Sequence, residues 1–552
     1  MLSLSGQANV TSEVTNMNVL TVPARLKFWT QKYPNMPAFV FEHPLRQRTV
    51  MTFNDVTTLA GKFASRLQKL GVKKGDVVCS TLPNCPERVV CDFGVMTAGA
   101  ITIPGTTVLS DGSDILHNLQ KSGSKVLVVN PVSGVWQVVR EKVHLCSSNG
   151  IQSEVLPDLR TVIFIHADNE FLDSLRKQDD PHPIDIPLEP TDLATILHTS
   201  GSTGYSKLVS TTHERLFRFS QTYVDMHNLN LEKTIYRDRP LGWSGGFPFF
   251  CLEGPATQFL LDDRFQMPND NIGFIWNLIC REKISTMFAT PPFVLSLLAR
   301  NDLHSNTNWI MDIILIAGQC VKSNLAPAIG KLCRELGVGY GSSEAGICCH
   351  QRYTAPEQLM DFNVGKVYPG CQLLVVDDDL LPVESGTRGQ FIVKSNGCFT
   401  EYYNDPETNR KAFTHDGWFM MDDIGFKNAD GNVFVQGRKS DLIMKGINKV
   451  YPSWLETQML KSPLIHDVTV VPVPDDVYIN EICACVIPSR PDVHVQDVRT
   501  LCDGLFRQSA SSDVSTAPKY FIFLQAFPCN NAGKVDKKAL IQIAIEEISN
   551  SC

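Results

Sequence analysis

The chain has 552 residues, of which 43% are hydrophobic and 20% charged, and its formal net charge is −8. On the usual size of a domain this is material for roughly three or four packed units with ample apolar surface for a core. The acidic balance gives no electrostatic footprint for nucleic acid and no attraction to anionic lipid, so neither partner class is expected.

Residues 1–20 read as a flexible N-terminus. They have no basic n-region, no long apolar core and no arginine before Arg25, so neither a signal peptide nor a transit peptide is expected. From 50 to 130 helix and strand alternate. "FNDVTTLAGKFASRLQKLGV" sets Leu59, Ala60, Phe63, Ala64, Leu67 and Leu70 on one 3.6-period face, with Asn54 as the expected cap and Gly71 as the stop. "GDVVCSTLPN" and "AITIPG" read as short buried strands around the helix "ERVVCDFGVMTAG", and similar units recur near 124–130, 284–300 and 311–340. Between about 361 and 436 helices disappear from the pattern, and "CQLLVVDDDLLPVESGTRGQFIVKS" reads as strands joined by Asp, Pro and Gly turns. After "GRKSD" at 437–441 the alternation returns, with a helix in "PSWLETQMLK", strands in "DVTVVPVP" and "EICACVIP", and a final helix in "KVDKKALIQIAIEEI".

The expected fold is therefore α/β. A large N-terminal domain over 21–436 has layered α/β subdomains and a β-rich subdomain near 361–436, and a small α+β domain covers 442–552. No stretch approaches the roughly 18 unbroken apolar residues of a membrane span. The 17 cysteines lack paired C-x-x-C spacing and read as reduced thiols, those in "CACV" and "ICCH" as small core residues rather than metal ligands. The C-terminal "SNSC" is not the peroxisomal S-K-L, so a cytoplasmic location is expected.

Residues 198–213, "HTSGSTGYSKLVSTTH", pose the first functional question. Thr199, Ser200, Gly201, Ser202, Thr203 and Gly204 offer four hydroxyls, and backbone amides that approach an anion closely where glycine lacks a Cβ. Lys207 adds a point charge, so a polyphosphate suits the loop. A Walker A loop would need G-x-x-x-x-G-K-[ST] opening a helix. Here Ser206 stands five residues past Gly201 and "KLVSTTH" reads as a strand, which disfavours an ordinary P-loop. On loop chemistry alone, a solvated hairpin turn is the plainer reading.

Four further motifs follow in order: "GYGSSEAG" at 339–346, "DGWFMMDDIG" at 416–425, "GRKSDLIMKGINKVYPSWLE" at 437–456 and "PCNNAGKVDKKAL" at 528–540. Together with the loop they resemble the adenylate-forming superfamily of acyl-CoA synthetases, peptide-synthetase adenylation domains and beetle luciferases, over roughly residues 20–545. The resemblance implies that the C-terminal domain is a mobile lid hinged at 437–441, with the active site beneath it. It implies a two-step reaction: a carboxylate attacks the α-phosphate of ATP to give acyl-AMP and pyrophosphate, and the thiol of CoA then displaces AMP. ATP, Mg²⁺, CoA and a small-molecule carboxylate are the implied cofactors and partners.

The same resemblance implies site roles. The loop from Thr199 to Lys207 would close over the β- and γ-phosphates. In the segment Tyr340, Gly341, Ser342, Ser343 and Glu344, the last two match the Thr and Glu of Y-G-x-T-E, touching phosphate and Mg²⁺, an ion that prefers hard oxygen ligands. Tyr340 would offer an aromatic face to adenine, and Gly318 of "IAGQC" would flank the base and the acyl group. Asp423 and Arg438 would hold the ribose. Lys534, in P-x-x-x-x-G-K, would bridge the attacking carboxylate and the α-phosphate as negative charge accumulates. Trp243 in "RPLGWSGGFP" aligns with the gate of the acyl pocket, and is equally plain core. Singly, Asp423 is also a turn residue, Glu344 a helix-terminal acid and Lys534 a solvated lysine, but their order and spacing favour the site roles jointly. His198 and His213 are expected to cap or pack.

The chain departs from the pattern at four positions. Ser206 stands where proline is usual, which loosens the turn. Ser343 replaces threonine and keeps the hydroxyl. Ser440 stands at the hinge position usually held by Asp or Lys. Ile447, after Gly446, takes the place of a second glycine beside the pantetheine channel. The expected function is ATP-dependent activation of a hydrophobic acid, a medium- or long-chain fatty acid, followed by transfer to CoA. A ligase with another acceptor, oxygen included, and a degenerate nucleotide- or acyl-binding paralogue are the alternatives.

Overall fold

The computed structural model describes residues 20–105, 113–146, 150–168, 170–178, 185–199, 205–227, 232–246, 255–265, 271–300, 309–319, 322–446, 448–506, 517–529 and 535–551. Ser200, Gly201, Ser202, Thr203, Gly204, Ile447 and Lys534 lie outside the described residues.

A six-stranded sheet runs in the order Leu208–Thr212, Leu193–His198, Ile101–Pro104, Val77–Ser80, Val126–Val129, Thr161–Phe164. Three of its inner strands are buried at every residue, as a parallel sheet covered on both faces requires. Leu208–Thr212 is the antiparallel edge strand and pairs with Leu193–His198 as a hairpin.

Helix Phe53–Lys69 buries Val56, Leu59, Ala60, Phe63, Ala64 and Leu67. Its cap is not Asn54 but Thr52. The Thr52 hydroxyl accepts from the Asp55 amide at 3.1 Å while the Asp55 carboxylate accepts from the Thr52 amide at 2.9 Å, a reciprocal box that fixes the start two residues earlier. Leu70, expected on the buried face, ends the helix and is 37% exposed.

The second sheet has 13 strands. Its centre is a parallel block, Thr257–Leu261, Thr234–Arg237, Thr286–Ala289, Met311–Ala317 and Cys333–Ser342. It continues antiparallel through Gly346–Tyr353, Asn363–Val367, Asn432–Arg438, Phe419–Lys427, Gly389–Ser395 and Cys371–Val376. Helices do not vanish from this β-rich stretch. Pro406–Ala412 is helical, with Pro406 in its first turn and the Asp405 side chain accepting from the Thr408 amide at 3.1 Å. Proline behind an aspartate cap is a start signal strong enough for a seven-residue helix between strands.

Residues 443–544 build two smaller cores around strands Ile465–Asp475, Ile479–Pro488 and Tyr520–Phe523. Helices Pro452–Met459, Val495–Phe506 and Lys537–Ser551 cover them. Exposed groups join this body to the large sheet: Lys449 Nζ lies 2.6 Å from Asp378, and Arg388 lies over the Tyr451 ring at 5.2 Å. No helix among the described residues is long and apolar enough to cross a membrane. Cys348, Cys349, Cys483 and Cys485 are buried, whereas Cys146 and Cys529 are the exposed thiols among the described residues.

Candidate active site

The parallel strands share a direction, so their carboxyl ends open on one side, where ligands of such sheets bind. There a cavity of about 690 Å³ is lined by residues that end four strands: His198 and Thr199, Phe288 and Thr290, Ala317 and Gly318, and Gly341 through Glu344. Gly341 is required where it stands, because a Cβ would come 2.0 Å from the Gly346 carbonyl oxygen. Gly318 has φ +87° and nothing within 4 Å of a Cβ position, leaving an open face toward the cavity.

Two residues outside the quoted motifs assemble the end that holds Lys207 and Glu344. Tyr402, 2% exposed, donates from its hydroxyl to Glu344 Oε1 at 2.9 Å, and Lys207 Nζ lies 4.9 Å above its ring. The same segment pairs with the hairpin strand: the Tyr403 amide donates to the Leu208 carbonyl at 2.7 Å and the Ser210 amide to the Glu401 carbonyl at 3.2 Å. Arg215, on helix His213–His227, donates to the carbonyls of Glu344 and Gly397 at 2.9 Å each and to that of Ser343. Burial lowers the Arg215 pKa to about 10, which leaves it charged at neutral pH. The strand after the loop, the Ser343–Glu344 turn and residues 397–403 are thus tied together by one buried cation and one tyrosine. Ser343 Oγ bonds Ser244 Oγ at 3.0 Å, and the Thr199 hydroxyl accepts from the Lys207 amide at 3.1 Å.

At the opposite wall, Asp423 and Arg438 are paired across adjacent strands, with Arg438 Nε 3.9 Å from Asp423 Oδ1. Tyr340 is not among the lining residues. Half-buried, it donates from its hydroxyl to Asp423 Oδ2 at 2.8 Å and so orients the carboxylate. Burial pushes the Asp423 carboxyl up, opposed by the Tyr340 hydroxyl and the Arg438 charge. Ser440 lines the rim and bonds Asp422 through both its amide and its hydroxyl. Trp243 lines the remaining end with Phe219, Tyr223, Phe288 and Phe293.

Of the residues singled out from the sequence, Thr199, Lys207, Trp243, Gly318, Gly341, Ser342, Ser343, Glu344, Asp423, Arg438 and Ser440 line this one cavity. Gly446 does not. Its amide donates to the Tyr478 carbonyl at 2.8 Å, at the turn between strands Ile465–Asp475 and Ile479–Pro488. His198, expected to cap or pack, lines the cavity with its imidazole pushed down to about 4 by burial. His213 does pack, its Nδ1 accepting from the Val22 amide at 3.3 Å. Tyr402, Arg215 and Ser244 were missed. "GWSGG" contains Ser244, but nothing in its spacing marks it as the partner of a residue 99 positions away.

A mixed sheet whose cavity is walled by a lysine hairpin, a tethered carboxylate and an Asp–Arg pair defines a nucleotide-using enzyme. The chain belongs to the AMP-binding enzyme family, whose model matches residues 26–403. It is 25% identical to the human mitochondrial medium-chain acyl-CoA ligase ACSF2 over 95% of this chain and 87% of that one. It is 26% identical to the long-chain-fatty-acid–CoA ligase FadD13 of Mycobacterium tuberculosis over 89% of this chain and 92% of that one. It is also 27% identical to triostin synthetase I of Streptomyces triostinicus, covering 90% of each. The fold is that of the anthranilate CoA ligase AuaEII in complex with anthranoyl-AMP, at a TM-score of 0.81 and 21% identity over 97% of this chain and 99% of that one. ATP-bound MatB of Rhodopseudomonas palustris gives 0.80 and 21% over 96% and 99%.

Proposed function

We propose that this enzyme is an ATP-dependent acid–thiol ligase. It joins a hydrophobic carboxylic acid to AMP with release of pyrophosphate, then passes the acyl group to the thiol of CoA. The observation that carries the reading is the meeting of the Lys207 hairpin, Glu344 and the Asp423–Arg438 pair in one cavity that also has an aromatic end.

Lys207 and the hydroxyl of Ser343 would bind the outer phosphates. Glu344 has one carboxylate oxygen held by Tyr402 and shows no ion pair among the described residues, which suits a divalent cation. Mg²⁺ held by Glu344 would offset phosphate charge. Asp423 would accept from the ribose hydroxyls, with Arg438 beside it. Lys534 is proposed to meet the α-phosphate and the attacking carboxylate, and 437–441, with Ser440, to be the hinge of a C-terminal lid over 442–552. A medium- or long-chain fatty acid is the acid expected from the sequence, and the names of two relatives support a fatty acid and CoA.

The test is carboxylate-dependent ATP–pyrophosphate exchange, with AMP release measured with and without CoA. Lys534→Ala should nearly abolish exchange while leaving nucleotide affinity largely intact, because its charge acts on the transferring phosphate. Near-normal exchange would remove Lys534 from the mechanism. Ile447 favours a second reading, in which adenylation outruns thioester formation. A β-branched side chain where the resemblance leads one to expect glycine would crowd the channel that Gly446 and Ile447 are proposed to flank. In single-turnover measurements Ile447→Gly should leave acyl-AMP formation unchanged and speed its CoA-dependent decay; equal decay rates would leave the plain CoA-ligase reading.

A further inference from the structure

The acid end of the cavity contains a polar device that adenylation and thioester transfer do not call upon. Asp238, 2% exposed, accepts from Arg239 Nε and Nη2 at 2.7 Å each, from the Thr290 hydroxyl at 3.0 Å and from the Thr290 amide at 3.2 Å. Arg239 Nη2 also reaches Thr290 Oγ1 at 3.0 Å. The guanidinium lies 5.9 Å from the Trp243 ring centroid, and Arg239, 20% exposed, lines the cavity beside Trp243, Phe288 and Phe293. Nε and Nη2 are therefore engaged, whereas Nη1 meets no acceptor among the described residues.

Two physical consequences follow. The Asp238 carboxylate already balances the guanidinium, so a second carboxylate on the ligand would find a neutral pair and gain little from charge. Nη1 remains a donor, and a ligand that seals the cavity without an acceptor there would strip water from it uncompensated. The surrounding rings point to a flat apolar body. Tyr223 and Phe288 already meet edge to face at 5.5 Å and 80°, and an aromatic ligand can extend that arrangement.

We propose that Arg239 Nη1 is a recognition donor, and that the acid this enzyme activates has an aromatic body bearing a neutral hydrogen-bond acceptor such as a ketone, ether or phenolic oxygen. The proposal rests on the ligase reading and replaces the fatty acid expected from the sequence with an aryl acid. Arg239 was passed over in the sequence because "RDRPLGWSGG" shows only a basic residue near a turn; its meaning comes from Asp238 and Thr290, which converge from two neighbouring strands.

The experiment compares ATP–pyrophosphate exchange with phenylalkanoic acids carrying either an acetyl group or the isosteric isopropyl group, alongside plain alkanoic acids of matched length. The wild type should favour the acetyl acid over the isopropyl acid by roughly 10- to 100-fold in kcat/KM, the value of one hydrogen bond to a charged donor. Arg239→Met should bring that ratio close to one. Asp238→Asn should unbalance the guanidinium and raise the relative rate with a carboxyl-substituted acid. If Arg239→Met fails to fold, the Asp238→Asn variant decides: no gain for the carboxyl acid overturns the subsite. Equal rates for the two aryl acids in the wild type, a ratio unchanged in Arg239→Met, or a preference for plain alkanoic acids overturns it as well. Absence of exchange with every acid overturns the ligase reading itself, and the subsite with it.

Discussion

Tyr402 holds one oxygen of Glu344 and supports Lys207 on its ring, so it sits between the two charges proposed to meet metal and phosphate. Tyr402→Phe keeps the ring and deletes the donor. The Mg²⁺ concentration for half-maximal exchange should rise several-fold, within the roughly tenfold or more that a bond to a charged group carries, with little change in Tm. An unchanged Mg²⁺ titration would detach Glu344 from the metal. Trp243→Ala should shift which acid is preferred, at about 1–3 kcal/mol per methylene accommodated. A uniform loss across all acids with a lower Tm would mark Trp243 as plain core. Lys207, Glu344 and Asp423 were legible in the sequence because each stands in an ordered motif. Tyr402 and Arg239 were not, since their partners lie in other segments and only the fold brings them into contact. Tyr340 was legible from its motif, but its hydroxyl bond to Asp423 was not, because a motif letter does not name a partner 83 positions away.

At the scale of elements, helix His213–His227 acts as a splint through Arg215, which joins strand Leu208–Thr212 to the Ser343–Glu344 turn and to residues 397–403. Arg215→Met should cost about 3 kcal/mol or more, because three carbonyls lose a buried donor at roughly 1–3 kcal/mol each. Arg215→Lys should recover part of this. Equal Tm values for wild type and Arg215→Met would show that the splint does not hold the turn. Gly341→Ala should be worse tolerated than either, since its Cβ meets backbone that cannot rotate away. The alternation of helix and strand was readable from apolar period, as in Phe53–Lys69, and the β-rich stretch from its turn residues. Caps were less readable: Asn54 and Thr52 are both good cap residues, and the reciprocal bond with Asp55 decides between them. The 13-strand order was not readable at all, because strands far apart in sequence, such as Asn363–Val367 and Asn432–Arg438, become neighbours only through tertiary packing.

At the scale of the molecule, the contacts between the large sheet and residues 443–544 include the exposed ion pair Lys449–Asp378, which solvent and salt weaken, and the Ser453 hydroxyl donating to the Gln436 carbonyl. Buried histidines set a pH limit on the core. The folded chain holds His213 and His350 near 4, burial being the first cause, against an ordinary value of 6.5. In that window the unfolded chain binds more protons, so these residues' contribution to stability is complete above about 6.5 and is lost as pH falls toward 4. His213→Gln, which keeps an acceptor for the Val22 amide, should therefore lose less Tm than the wild type between pH 7 and pH 4; parallel curves would show that His213 titrates normally. The thiols complete the picture. Burial pushes those of Cys79, Cys333 and Cys502 up to about 12, where they are poor nucleophiles at neutral pH. Cys146 and Cys529, one on each body, are exposed. With the half-buried Cys280, Cys371 and Cys398, and Cys251, Cys320 and Cys552 outside the described residues, changed to serine, the two native cysteines Cys146 and Cys529 become the attachment sites of a donor–acceptor dye pair. Energy transfer between Cys146 and Cys529 then reports, in solution and in real time, whether the two bodies separate or rotate as ATP, acid and CoA are added in turn.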